Sequence, residues 1–226
     1  MTHADEIGPG TLSRLTAAIY RYLVLGFFLA IAGLPTLLFW TLLSPAPSNV
    51  ALFVAALLPV APALSAALYA QRAWSREPDL SPARPLLRGL RLNLRDTLSW
   101  WVPVLALATV LAVNVLFAEG VAGGEILRPV CDALMVVLAV WSGHLLVVTS
   151  FFSFRLRDVL RVAAAEFFLS WKSSLGMLSL LVVATATVVL SSEALLLITA
   201  WAFSASLWLV VRPVIADVTE RFTSHD

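Results

Sequence analysis

The chain has 226 residues, 60% of them hydrophobic and 13% charged, with a net charge of +1 and a mean hydropathy of +0.91. Soluble domains are about 45–50% apolar and about 25% charged, so an ordinary water-soluble fold is excluded and a polytopic membrane protein of one domain is expected. The charge balance gives no sign of nucleic-acid binding, and the single cysteine, Cys131, excludes an internal disulfide.

In chain order, residues 1–11 read as a short cytoplasmic tail, 12–221 as one integral membrane domain and 222–226 as a C-terminal tail. The first apolar run, 15–43, is about twice the roughly 7–15 residues of a signal-peptide core, so a retained span is expected there. Pro35 inside it removes a backbone hydrogen bond and is expected to bend the helix. The second span, 50–74, carries Pro59 and Pro62 and is expected to kink as well. The third is 98–118 and the fourth 128–154, with Pro129 suited to a first helical turn. The last apolar block, 173–211, would be close to 60 Å long as one helix, about twice the hydrocarbon thickness. It is expected to break at Ser191-Ser192-Glu193, where serine suits an N-cap, into spans 173–190 and 194–211. The fold class is therefore all-α, a bundle of six transmembrane helices.

Six spans place both termini on the same side as the loops after the second and fourth spans. Fourteen of the 15 basic residues fall on that side and only Arg128 on the other. The positive-inside rule then puts both termini and the basic loops in the cytoplasm, with the protein multi-pass in the plasma membrane.

Six of those residues crowd into one segment: Arg72, Arg76, Arg84, Arg88, Arg91 and Arg95. The last four are spaced 4, 3 and 4 apart, which aligns them on one helical stripe. Leu87, Leu90, Leu94 and Leu98 form a second stripe, leaving Gly89, Asn93 and Asp96 on a polar side. This pattern predicts an amphipathic helix over 84–98 lying in the membrane surface, its guanidinium groups among anionic headgroups. Trp100 and Trp101 suit an aromatic belt, and Pro103 suits a bend into the third span. The alternative is that the leucines pack on other cytoplasmic segments. The loop 154–173 repeats the scheme more weakly, with Arg157 and Arg161 four apart and Trp171 before a span.

No nucleotide-binding glycine motif, metal-ligand spacing or Ser-His-acid set is present in the sequence, and no cofactor is expected. Ionisable and amide groups at membrane depth are the remaining candidates, because they are costly there. His144, near the middle of the fourth span, either lines a ligand pocket or proton path or bonds to a neighbouring helix, and the second reading is the simpler. Asn114 in the third span is expected to act as interhelical glue. Asp132 and Glu193 lie near span ends, where solvation or capping accounts for them, and Cys131 reads as a buried filler.

Three segments carry a resemblance. They are Gly33-Leu34-Pro35-Thr36 in the first span, Pro62-Ala63-Leu64-Ser65-Ala66-Ala67-Leu68-Tyr69 running into Arg72, and Leu87-Arg88-Gly89-Leu90-Arg91-Leu92-Asn93-Leu94-Arg95. Their order is similar to the YesL family of uncharacterised bacterial integral membrane proteins, over residues 12–117 in detail and beyond that by pattern. Leu90 and Leu94 stand where family loops tend to carry phenylalanine. The resemblance implies a non-enzymatic accessory or scaffold linked to carbohydrate uptake, with a sugar ABC transporter permease as partner, and it carries over no catalytic residue. A small-molecule transporter or channel component is the alternative function.

Overall fold

The computed structural model describes residues 11–76, 81–152 and 154–223. The tails expected at 1–11 and 222–226 therefore fall almost wholly outside the described residues, as do His3 and His225. Among the described residues the chain is all-helical: α1 (Thr11–Leu42), α2 (Val50–Ala55), α3 (Val60–Arg76), α4 (Ala83–Phe117), α5 (Gly124–Phe151), α6 (Leu156–Leu169), α7 (Trp171–Leu190), α8 (Glu193–Ile198) and α9 (Ala200–Thr223). Five segments are long and apolar enough to cross a membrane: Leu12–Leu42, Pro47–Arg76, Ala83–Gly120, Gly124–Phe151 and Trp171–Leu190. The bundle's outer surface agrees, with side chains such as Phe27, Ile31, Val110, Ile126, Val137 and Val183 exposed. A soluble monomer rarely leaves so much contiguous apolar surface uncovered.

The helix α5 is the central element. From Ser142 to Ser150 nearly every residue is buried, and α3, α4, α6, α7 and α9 pack around it. Glycines set several of the close approaches: Gly143 against Met177 of α7, Gly176 against Val210 of α9, and Gly33 of α1 against Leu197 of α8. The α4–α5 turn is tight. Gly123 has a φ of 86°, and a side chain on Gly124 would run into the carbonyl of Ala118.

The prolines act unequally. The helix through Pro35, Pro103 and Pro129 is continuous, whereas the second segment breaks between Ala55 and Val60, at Pro59, with Pro62 in the first turn of the helix that follows. There the backbone shifts to shorter-range bonds, Leu57 N donating to Val54 O and Val60 N to Leu57 O. The carbonyls of Phe53 and Ala56 lose their α-helical donors, and side chains from α1 satisfy both. Trp40 Nε1 donates to Phe53 O at 3.0 Å and Thr36 Oγ1 to Ala56 O at 2.6 Å. From α4, Trp101 Nε1 donates to Leu57 O at 3.1 Å. In hydrocarbon such freed groups have no water to turn to, so the break exists only where neighbours supply donors.

The 173–211 block also breaks. The α7 helix stops at Leu190, and Ser192 caps α8 with its Oγ accepting from Leu195 N at 3.2 Å.

The basic segment departs from expectation. It is not a separate surface helix bent away from the third span. It is the first part of α4, a single helix of 35 residues that runs on through Pro103. At about 1.5 Å per residue this helix is about 52 Å long, well over the hydrocarbon thickness of about 30 Å. Of the side read as polar, Gly89 is buried, Asn93 is half-buried and bonded to a neighbouring helix, and Asp96 is exposed. Leu86, Gly89, Thr97, Trp100 and Val104 are buried, while Leu87 is 50% and Leu94 39% exposed. The physical reason is close approach: Tyr69 of α3 lies against Gly89, where a larger side chain does not fit.

Candidate functional site

Three places concentrate polar or open structure. The first is a seam between α3, α4 and α5. Asn93 Nδ2 donates to Ser65 Oγ at 3.0 Å and lies 3.4 Å from Ser150 O, and Ser150 Oγ bonds to Ser65 Oγ at 2.8 Å. The pairs Leu57–Trp101, Ser65–Asn93 and Tyr69–Gly89 show that α3 and α4 run antiparallel in one register. A second bond of this kind joins α3 to α9, where Gln71 Nε2 donates to Ser204 Oγ at 2.9 Å. Sequence reasoning passed over Asn93, Ser65, Ser150, Gln71 and Ser204. The signal that marks them is small and hydroxyl residues recurring near single amides, the usual composition of helix interfaces in membranes.

The sequence candidates behave differently from one another. His144 is fully buried, and its Nε2 lies 2.9 Å from Ser174 Oγ of α7, with the ring edge-on to Phe167 of α6. Ser174 Oγ also bonds to Phe167 O at 2.9 Å. His144 Nδ1 has no hydrogen-bond partner. Asn114 does not bridge helices: its Nδ2 bonds back to Val110 O of α4 at 2.8 Å. It lies on a part-exposed stretch near the end of α4, and the i−4 carbonyl is the acceptor it uses. Cys131 is buried and free, Asp132 is exposed, and Glu193 occupies the first turn of α8. Among the described residues no three metal-ligating side chains come together.

The second place is a half-open apolar cavity of about 440 Å³ lined by α1, α3, α4, α5 and α7–α9. Its wall includes Thr36, Trp40, Leu57 and Trp101, the same groups that stitch the broken second segment, together with Ser142, Gly143 and Glu193. Both serine and threonine hydroxyls there are already donated to backbone, Thr36 to Ala56 O and Ser142 to Leu138 O. His144 is not part of this wall and faces α6 and α7 instead.

The third place is a cavity of about 730 Å³ where α3, the start of α4 and the end of α5 meet. Arg72, Arg76, Arg84 and Arg88 line it with Tyr69, Ala73, Pro85, Ser150 and Phe151. Two of the four stripe arginines, Arg84 and Arg88, thus turn toward α3. Arg84 and Arg88 also line a shallow groove along the outer side of α4, together with Arg91, Leu87 and Leu92, and Arg95 is exposed.

Comparison of the chain with protein-family models, with curated proteins and with solved structures finds no match in any of the three.

Proposed function

We propose that the chain is a non-enzymatic accessory or scaffold protein of the plasma membrane, in keeping with its resemblance to the YesL family, and that it serves a carbohydrate ABC importer by holding its permease. In this reading the five apolar segments are joined by a sixth, residues 194–211, about 27 Å long across α8 and the start of α9. Both termini and the arginine-rich ends of α3 and α4 then face the cytoplasm, on the strength of the basic asymmetry.

The observation that carries the scaffold reading is the use made of buried polar side chains. Asn93, Gln71, His144 and Ser173 each bond to a serine or a backbone carbonyl on a neighbouring helix. Bonds of this kind average about 0.6 kcal/mol in membranes and fix which helices touch. Groups committed to holding helices together are poorly placed for acid–base work.

One observation favours the second reading, a small-molecule transporter. The break in the second segment lines the apolar cavity, and broken helices beside cavities are how membrane transporters build binding sites.

The two are separated by purifying the protein from its native membranes in mild detergent, and by reconstituting it alone in proteoliposomes. A scaffold brings a sugar-importer permease with it in fixed ratio and passes no sugar by itself. Saturable sugar flux through the isolated protein would reject the scaffold reading.

A further inference from the structure

The cavity at the cytoplasm-assigned end of α3, α4 and α5 has a composition that neither reading uses. Four arginines line it from two antiparallel helices, Arg72 half-buried and Arg76, Arg84 and Arg88 exposed, and no carboxylate side chain lines it among the described residues. The antiparallel register brings them together: Tyr69 on Gly89 sets the helix spacing, and Arg72 and Arg76 continue α3 beyond that contact as Arg84 and Arg88 precede it on α4. Arg72 is held in place, its Cζ 5.0 Å from the centre of the Phe151 ring. Like charges facing one space repel, and only an anion relieves all four at once. The connecting residues Glu77 and Asp79 are two negative charges in the sequence against these four positive ones, so the segment stays cationic.

We propose that this cavity binds one phosphate-bearing anion, with Arg72, Arg76, Arg84 and Arg88 as its ligands. Guanidinium presents a planar fork of N–H donors that matches phosphate oxygens two at a time, and four forks suit a tetrahedral group with several charged oxygens. At about 730 Å³ the space is of ligand-pocket size and larger than a lone phosphate fills, so the phosphate carries a further group. Ala73, Pro85 and Phe151 give that group an apolar wall. The source is either the headgroup of an anionic phospholipid or a soluble organic phosphate, and the chemistry at the arginines is common to both. This assignment is independent of whether the protein is scaffold or transporter.

The molecule provides its own control. Arg72→Gln/Arg76→Gln and Arg91→Gln/Arg95→Gln remove the same charge, from the cavity and from the outer face of α4 respectively. The purified full-length protein is titrated with glycerol 3-phosphate in a neutral detergent. In parallel it is placed in phosphatidylcholine nanodiscs containing phosphatidylglycerol, and retained lipid is counted by native mass spectrometry. Saturable one-to-one binding in either arm, weakened at least tenfold by the cavity pair and less than twofold by the outer pair, supports the site. Binding in the nanodisc arm alone assigns the ligand to a lipid, and binding in the detergent arm assigns it to a soluble phosphate. Equal losses from both pairs, or no saturable binding in either arm, overturn the proposal. If the cavity pair fails to fold, phenylglyoxal modification of the wild-type protein decides. The bound phosphate should protect Arg72, Arg84 and Arg88 and leave Arg91 and Arg95 reactive, and uniform reactivity rejects the site.

Discussion

Replacing Gly89 by alanine tests the packing of α3 on α4 through the sign of the effect. On a water-facing helical surface Gly→Ala stabilises by about 0.8–1.0 kcal/mol, because alanine loses less backbone entropy. In the folded protein, however, a Cβ at position 89 would lie 2.9 Å from both Cβ and Cδ1 of Tyr69 and 3.0 Å from its Cγ. Carbon atoms pack at about 3.5–4.0 Å, so something must give by more than half an ångström. The nearest atom is at the root of the tyrosine, so a rotamer change cannot clear it and α3 itself has to move. Overpacking of this sort costs about 1–3 kcal/mol, which leaves Gly89→Ala destabilised by roughly 1 kcal/mol net, and Gly89→Val by more. Gly120 is the control, since nothing lies within 4 Å of a Cβ built there. Reversible unfolding in mixed micelles, followed by far-ultraviolet circular dichroism against added dodecyl sulfate, measures both variants. Stabilisation by Gly89→Ala similar to that at Gly120 would refute the contact and return Gly89 to a wet face.

Three further outcomes follow from particular contacts. His144→Leu removes the bond to Ser174 and should cost about 0.6–1.7 kcal/mol in the same unfolding assay, with His144→Gln costing less; a loss above about 3 kcal/mol would mean the ring does more than join α5 to α7. Ser192→Ala deletes the cap on α8 and should destabilise by about 0.5–2 kcal/mol, while Ser192→Asp, which keeps an acceptor, should not; equal effects would remove the cap from the account. In a Cys131→Ala background, cysteines at Ser48, Gly123 and Ser192 should react with an impermeant thiol reagent on intact cells and one at Asp158 only after lysis. Labelling at Asp158 without lysis would invert the proposed topology.

The elements legible in the sequence are those governed by one-dimensional physics. Hydropathy over about 20 residues finds the spans because bilayer thickness fixes their length. The 173–211 block had to break on length alone, and Ser192 marks the place because a capping hydroxyl is a local requirement. The prolines show where this stops. Pro35, Pro103, Pro59 and Pro62 look alike in sequence, yet only the pair 59 and 62 accompanies a broken helix. Whether a proline breaks a membrane helix depends on whether other helices bring donors to the freed carbonyls, as Thr36 and Trp40 do here. Those partners are tertiary, and no local pattern announces them.

The misreading of α4 has a more general cause. Leu87 and Leu94 do face outward, as a helix lying in the membrane surface requires; what fails is the assignment of the polar side, which follows the rule for water in placing glycine and asparagine outward. That rule works for α6, which buries Val159, Val162 and Ala163 and exposes Arg157 and Arg161. It fails for α4 because lipid is as apolar as leucine, so burying leucine between helices gains little there, whereas small residues permit close approach and amides find partners. The face carrying Gly89, Asn93 and Thr97 is therefore the one that packs, even in the part of α4 that its length carries beyond the hydrocarbon. Arg84 and Arg88 lie in the first turns of α4, beside the end of α3, and there they join Arg72 and Arg76 around a cavity. The leucines at 87 and 94 are left uncovered beside Arg91 and Arg95. A helix can offer one side to a partner helix and keep an apolar and basic side for headgroups, so continuity with the third span and contact with the membrane surface are compatible. Position along α4 separates the arginines: Arg84 and Arg88, nearest the α3–α4 connection, reach the half-open cavity proposed as an anion site as well as the outer groove, whereas Arg91 reaches the groove alone.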